Sequence, residues 1–339
     1  MNKEIFNVSE VTTYWQDLAD HARAEHRPFF TLAPMEAVTN AIFRRVVARA
    51  AAPDAFFTEF TNAISVTHPK AKFTVQGRLY VAPEEAKMPV VQLWGNQPEA
   101  FEKAAADVKS RGYQAIDMNM GCPDSTVIKN HGGSDLIRHP EDAAAVIAAA
   151  KTAGLPVSVK TRLGYSRVDE WHDWLKFLLE QDIPLLTVHL RTKKEMSRVP
   201  AHNELIDQIV QLRDEVAPHT LLQVNGDIAN YQEGCALAAA HPGVDGIMIG
   251  RGIFTSPFAF EKTPHEHSVK ELLELLNYQL DLFDDFAARF DTQRFASLKR
   301  FFKIYVRNQP HAAELRNAMM ETKSTDEVRQ LLADSPLTK

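Results

Sequence analysis

From residue 27 onward, short unbroken apolar runs alternate with longer stretches in which apolar residues recur at helical spacing. The runs fall at 29–33, 55–58, 90–94, 115–118, 157–160, 185–188, 221–224 and 246–249, and are read as eight strands. Continuous rather than alternating apolar character is what strands buried on both faces show. Strands separated by helical patterns predict parallel β/α units, and eight of them over a span near the ~250 residues typical of the fold predict a TIM (β/α)8 barrel. An open doubly wound sheet is the runner-up. It would normally carry a glycine-rich dinucleotide turn after its first strand. Here that strand ends Ala33-Pro34-Met35-Glu36-Ala37, and no G-x-x-x-x-G-K-[ST] occurs in the chain.

The flanks differ from this rhythm. Residues 1–26 read as an N-terminal helical extension. Ser9 can cap a helix through Val11, Trp15, Leu18 and Ala22, apolar at helical spacing, which points to packing on the outside or base of the barrel. The barrel is assigned to 27–262. A polar linker containing Pro264 then opens a region, 263–339, that reads as all helix and as a small separate domain. Leu272, Leu273, Leu275, Leu276, Leu280, Leu282 and Phe283 begin it. A further stretch, 294–307, mixes Phe295, Leu298, Phe301, Phe302 and Tyr305 with Lys299, Arg300, Lys303 and Arg307.

Bulk properties narrow the function classes. The net charge of −6 over 339 residues argues against wholesale electrostatic binding of nucleic acid, though not against a local basic patch. The two cysteines, Cys122 and Cys235, form no C-x-x-C pair, so a disulfide framework is excluded and no metal site is expected. No signal peptide and no apolar run of membrane-spanning length is read, and a reducing cytoplasm fits.

The candidate chemistry lies at the strand ends, where a TIM barrel builds its active site. Those positions hold Pro34, Met35 and Glu36; Glu59; Gln92; Asn119 and Cys122; Lys160 and Arg162; His189 and Arg191; Asn225, Gly226 and Asp227; and Gly250 and Arg251. Any one has a plain structural explanation: a lone histidine is more often a satisfied core residue, and Asn-Gly is a good turn. A polar residue at nearly every strand end is harder to explain that way. The densest stretch runs from Asp117 to Ser134, where Asn119, Gly121, Cys122 and Pro123 follow an apolar run and leave a cysteine on a loop. After strands seven and eight, Asn225-Gly226-Asp227 and Gly250-Arg251-Gly252 match the usual barrel phosphate site, with Arg251 adding a charge-assisted contact. Lys160 and Gln92 would then face the ligand's ring system, and a fixed cation there suits a flavin. Cys235, in a helical run, reads as core.

Together A-P-M-E-A-V-T-N, T-E-F, V-Q-L-W-G, D-M-N-M-G-C-P, V-S-V-K-T-R-L-G, V-H-L-R-T, V-N-G-D-I and I-M-I-G-R-G resemble the tRNA-dihydrouridine synthase family, most closely its bacterial C-type branch. The resemblance implies FMN held by Pro34, Met35, Glu36, Gln92, Lys160, Asn225, Gly226, Asp227, Gly250 and Arg251, with His189 facing ring or substrate. It implies Cys122 as the catalytic acid and Asn119 as a contact to the target uracil. The implied reaction reduces the C5–C6 bond of a uridine in tRNA with NADPH as reductant. Arg191 and the basic residues Lys299, Arg300 and Lys303 of the helical region are the expected RNA contacts, and a monomer is expected. The chain departs from the family after Gly-Cys-Pro, where Asp124-Ser125-Thr126 follows, and in the loop 193–198, which lacks a tyrosine. Two other readings share part of the pattern. A small-molecule FMN dehydrogenase or ene-reductase would use the same phosphate site and lysine. An RNA-binding protein without catalysis would not need Cys122, Lys160 and Gln92 together.

Overall fold

The computed structural model describes residues 13–71, 75–290, 294–307 and 310–335. Its centre is a ring of parallel strands: β1 (Phe29–Leu32), β2 (Ala55–Phe56), β3 (Thr61–Asn62), β4 (Val91–Trp94), β5 (Ile116–Met120), β6 (Val157–Arg162), β7 (Leu185–His189), β8 (Leu221–Asn225) and β9 (Gly246–Ile249). They are hydrogen-bonded in the order β2-β1-β9-β8-β7-β6-β5-β4-β3. The two ends of that order meet: Phe57 bridges Val90, Thr58 N donates to the Val90 carbonyl at 2.9 Å, and Val90 N donates to that of Phe56 at 2.8 Å. β2 and β3 are therefore two halves of one stave, and the ring is an eight-stave TIM barrel.

The sequence predicts eight strands where the described residues form nine, because the second stave is broken. Phe57 lies opposite Val90 and Thr61 opposite Leu93, so this stave carries one residue more than its neighbour. That is a bulge, and it turns Glu59 inward, where its carboxylate accepts from Ala37 N at 2.6 Å. β3 is two polar residues long and leaves no apolar run to detect.

The base of the barrel is closed by the helix Thr13–Ala24. Its Trp15 is fully buried against Phe29 and Phe57, with ring centroids 6.5 and 6.1 Å apart. Val90, Ala115, Leu185 and Leu221, from the starts of other staves, complete this cluster. The N-terminal helix thus plugs the base, one of the two placements the spacing predicts; Ser9 and Val11 lie outside the described residues.

The C-terminal region is helical and packs on the barrel's first outer helix, Ala41–Ala51. The long helix Val269–Arg289 starts in a capping box, in which Ser268 Oγ accepts from Glu271 N and the Glu271 carboxylate accepts from Ser268 N. Phe43 stacks on Phe301 at 4.6 Å and Arg49 lies 4.5 Å over the Tyr278 ring, so the two regions share one apolar core. The stretch 294–307, which reads as helix in the sequence, is a 3-10 segment, Phe295–Phe301, followed by a short α-helix, Phe302–Tyr305. Burial of Phe301, Phe302 and Tyr305 together, with Tyr305 Oη donating to Gln279 at 2.5 Å, sets that tighter path. Among the described residues no helix is long and apolar enough to cross a membrane.

Candidate active site

A buried polar relay starts at the second residues of β4, β5 and β6 and rises to the turn after β5. Ladder register sets Gln92 beside Asp117 and Asp117 beside Ser158. Asp117 is fully buried and accepts from Gln92 Nε2 and from Ser158 Oγ, each at 2.6 Å. A carboxylate accepts only, so the Gln92 amide nitrogen is fixed toward it. Gln92 Oε1 is left to accept from Asn119 Nδ2 at 3.0 Å. Asn119 Oδ1 then accepts from the N–H groups of Cys122 at 2.9 Å and Gly121 at 3.2 Å. Each amide orientation follows from the one before it, and the last fixes the cysteine turn. Burial pushes the Asp117 carboxyl up to about 6, against the pull of the Gln92 and Ser158 hydrogen bonds and nearby Lys160.

The turn is also held from outside. The Cys122 carbonyl accepts from both N and Oγ of Ser134, at 3.0 and 2.9 Å. Close approach of this loop requires Gly133, at φ 59, where a Cβ would lie 2.8 Å from the Cys122 carbonyl oxygen and 2.7 Å from Val127. Arg162, buried beneath, donates to the Gly121 carbonyl at 2.7 Å. Cys122 itself is half-buried at the edge of a cleft of about 770 Å³, with Trp94, Asn62, Arg78, Glu36 and Met196 among its walls. Burial pushes its thiol above the usual range, so it carries its proton at neutral pH.

A second cleft, of about 440 Å³, opens over β1 and β6 to β9. Lys160 reaches into it from β6, and its ammonium makes no hydrogen bond among the described residues. Burial, with Arg162 adding repulsion, pulls its ammonium down to about 8, against the attraction of Asp117. His189 is held neutral, its pKa driven well below the ordinary value by burial and then by Arg162, Lys160, Arg191 and Arg251. Arg191 Nη1 lies 3.2 Å from His189 Nε2. A guanidinium only donates, so the imidazole proton sits on Nδ1. Asp227, at φ 52, accepts from Arg251 Nη2 at 2.9 Å, from Ala201 N at 3.0 Å, and from Arg191. Gly226, at φ 137, starts this turn. Among the described residues the main-chain N–H groups of Gly226, Asp227, Gly250 and Arg251 find no main-chain acceptor.

Of the residues picked out in the sequence, Pro34, Met35, Lys160, His189, Asn225, Gly226, Asp227, Gly250 and Arg251 all line this second cleft. Glu36 does not; it pairs with Arg78 on the wall of the Cys122 cleft. Gln92 is fully buried within the relay rather than on a cleft wall. Arg191, expected at the RNA, is 1% exposed, with its guanidinium taken by His189, Asp227 and the Val199 carbonyl. Lys299 donates to the Met320 carbonyl, and Arg300 reaches the carbonyls of Glu36 and Ala37 at 3.5 and 3.3 Å, so the basic segment abuts the loop beside Cys122. Lys303 is exposed. Two contributors went unassigned in the sequence. Asp117 sits two residues before Asn119 on the same face of β5, a period-two signal that could have linked them. Arg78 lies on an irregular segment that offers no such signal.

The family description "Dihydrouridine synthase (Dus)" matches residues 31–338. A probable tRNA-dihydrouridine synthase 2 of Bacillus subtilis is 55% identical over 321 residues, covering 95% of this chain and 96% of its own. A probable tRNA-dihydrouridine synthase of Staphylococcus epidermidis is 56% identical over 306 residues, covering 90% and 93%. One of Staphylococcus aureus is 53% identical over 319 residues, covering 94% of each chain. With that match across nearly its whole described length, the chain belongs to the dihydrouridine synthase family.

Proposed function

We propose that this protein is a tRNA-dihydrouridine synthase that reduces the C5–C6 double bond of a D-loop uridine, with FMN as cofactor and NADPH as the source of reducing equivalents. The observation that carries this reading is the placement of Cys122, set by the relay at the edge of one cleft, beside a second cleft into which Lys160 points its ammonium.

The second cleft fits FMN. Among the described residues the Lys160 ammonium has no hydrogen-bond partner, four cations act on His189, and the N–H groups at Gly226, Asp227, Gly250 and Arg251, without main-chain acceptors, suit a phosphate. FMN held there would supply the hydride for reduction at uracil C6. Lys160 would hold positive charge toward the cofactor's ring system, and His189 would offer its Nδ1–H as a donor. Asn119, whose Oδ1 is occupied by the cysteine turn, keeps Cys122 aimed at its cleft. Cys122 gives its proton to C5: the S–H bond breaks as the C–H bond forms, and the thiolate is steadied by Arg162 and Lys160 until solvent reprotonates it.

The test is an assay of purified protein with FMN, NADPH and unmodified tRNA, read by nucleoside mass spectrometry. A uridine heavier by two hydrogens in the D-loop is the expected product. NADPH oxidation by a flavin-bearing protein without any dihydrouridine would favour the small-molecule reductase instead.

The RNA is read as approaching over the basic segment that touches Glu36 and Ala37. Replacing Lys299, Arg300 and Lys303 together with alanine is expected to weaken tRNA binding and to flatten the slope of log affinity against log salt by about 2 to 3, the loss expected for three phosphate contacts. An unchanged slope in a filter-binding salt titration would move the RNA to another face.

A further inference from the structure

Among the described residues three large apolar side chains are well exposed: Ile64, Met196 and Met320. Isolated exposed apolar residues are ordinary, but the setting of Met196 is not. It lines the Cys122 cleft, and the next residue, Ser197, lines the Lys160 cleft, so Met196 crowns the partition between them. Its backbone is left-handed, at φ 56, a conformation that non-glycine residues adopt uncommonly.

The loop is built to hold that conformation. Buried Arg162, which also ties the Cys122 turn, donates to the carbonyls of Thr192 and Met196 at 3.1 and 2.9 Å. Glu195 accepts from Thr192 N at 2.7 Å and pairs with His202 at 2.9 Å. Met196 N donates to the Lys193 carbonyl at 3.2 Å. All of these bonds use main chain or neighbouring side chains, so the Met196 side chain itself is left free at the tip. Lys193, Lys194 and Arg198 flank it. An apolar tip among cations, at the mouth of a catalytic cleft, suits a nucleic acid: phosphates for the cations and a base stack for the tip.

We propose that Met196 is a wedge that enters the RNA base stack where the target uridine leaves it, holding that uridine out in the Cys122 cleft. The proposal rests on the tRNA reading above. A base inside folded RNA must leave its stack to reach a pocket, and an apolar group filling the gap keeps it from returning. Methionine, unbranched and polarizable, adapts to the gap it fills. Met196 is a positioning residue here and takes no part in bond making.

The holoenzyme is assayed on tRNA carrying 2-aminopurine next to the target uridine, so that fluorescence reports unstacking. Met196→Ser is expected to slow single-turnover dihydrouridine formation roughly tenfold or more and to diminish the fluorescence rise, while Met196→Leu restores both. Wild-type rate and fluorescence in Met196→Ser would overturn the wedge alone. So would an equal loss in Met196→Leu, which would indicate a structural role. Wild-type enzyme that forms no dihydrouridine in any tRNA would instead overturn the reading on which the wedge rests.

Discussion

Replacing Cys122 with alanine is expected to slow dihydrouridine formation by roughly 10²- to 10⁴-fold, the range of a positioned general acid, while FMN and tRNA still bind. The geometry makes the substitution clean. The turn is fixed by main-chain groups: the Cys122 N–H donates to Asn119, the Cys122 carbonyl accepts from Ser134, and the Gly121 carbonyl accepts from Arg162. Alanine keeps all of them and removes the sulfur alone. Cys122→Ser should not rescue the rate, because a hydroxyl is a far weaker acid than a thiol. The pH profile gives an independent check. Burial raises the thiol pKa, so the proton-bearing form persists through neutral pH and is lost only as pH rises through that elevated value. The wild-type rate should therefore hold on the acid side and fall on the alkaline side, and the alanine variant should lack that alkaline limb. Single-turnover kinetics with pre-reduced enzyme reads both effects, and an alanine variant with wild-type rate would end the acid role.

The barrel and its chemical end were legible because both rest on local pattern. Parallel strands buried on two faces leave unbroken apolar runs, and the polar residue closing each run falls at the one rim where side chains converge. What escaped depends on partners distant in sequence. β3 is too short and polar to register, and it forms only because the bulge after Phe57 redirects the chain toward β4. Glu36 follows Pro34 and Met35 in sequence, yet the turn sends its carboxylate to Arg78 and into the other cleft. Gln92 reads as a ligand contact, but a buried carboxylate across the ladder draws its amide inward. Arg191 reads as a surface cation, but the left-handed turn at Asp227 places a carboxylate that, with the Val199 carbonyl, holds its guanidinium inside the barrel. The 294–307 segment has helical spacing, but Phe301, Phe302 and Tyr305 are drawn into the core shared with Ala41–Ala51, which tightens the path.

Lys160→Met tests the other half of the site, and its signature is two changes of opposite sign. Among the described residues the Lys160 ammonium has no hydrogen-bond acceptor, so FMN would supply one, and losing a charged hydrogen-bond donor costs binding of roughly 10-fold or more. Without FMN, the same ammonium is a half-buried charge that only the more distant Asp117 offsets, and replacing it with an apolar chain of similar length should stabilise the apoprotein. The pH dependence follows from the same shift. Lys160 titrates at about 8 in the folded protein against 10.5 ordinarily, so the unfolded chain binds more protons between those values. Wild-type apoprotein stability should rise with pH across that window, with the lysine penalty fully present below it, and the methionine variant should lack the rise. FMN affinity runs the other way. It should weaken in the wild type as pH climbs past about 8 and the ammonium is lost, with bound anion moving the midpoint upward, and stay flat in the variant. Fluorescence titration of FMN and thermal denaturation of apoprotein, each from pH 7 to 10, measure the pair. A methionine variant that loses both affinity and stability would be misfolded. Lys160→Gln, which keeps a polar head without the charge, then serves as the control and should show the affinity loss in a folded chain. A folded variant that retains wild-type FMN affinity would take Lys160 out of the cofactor site.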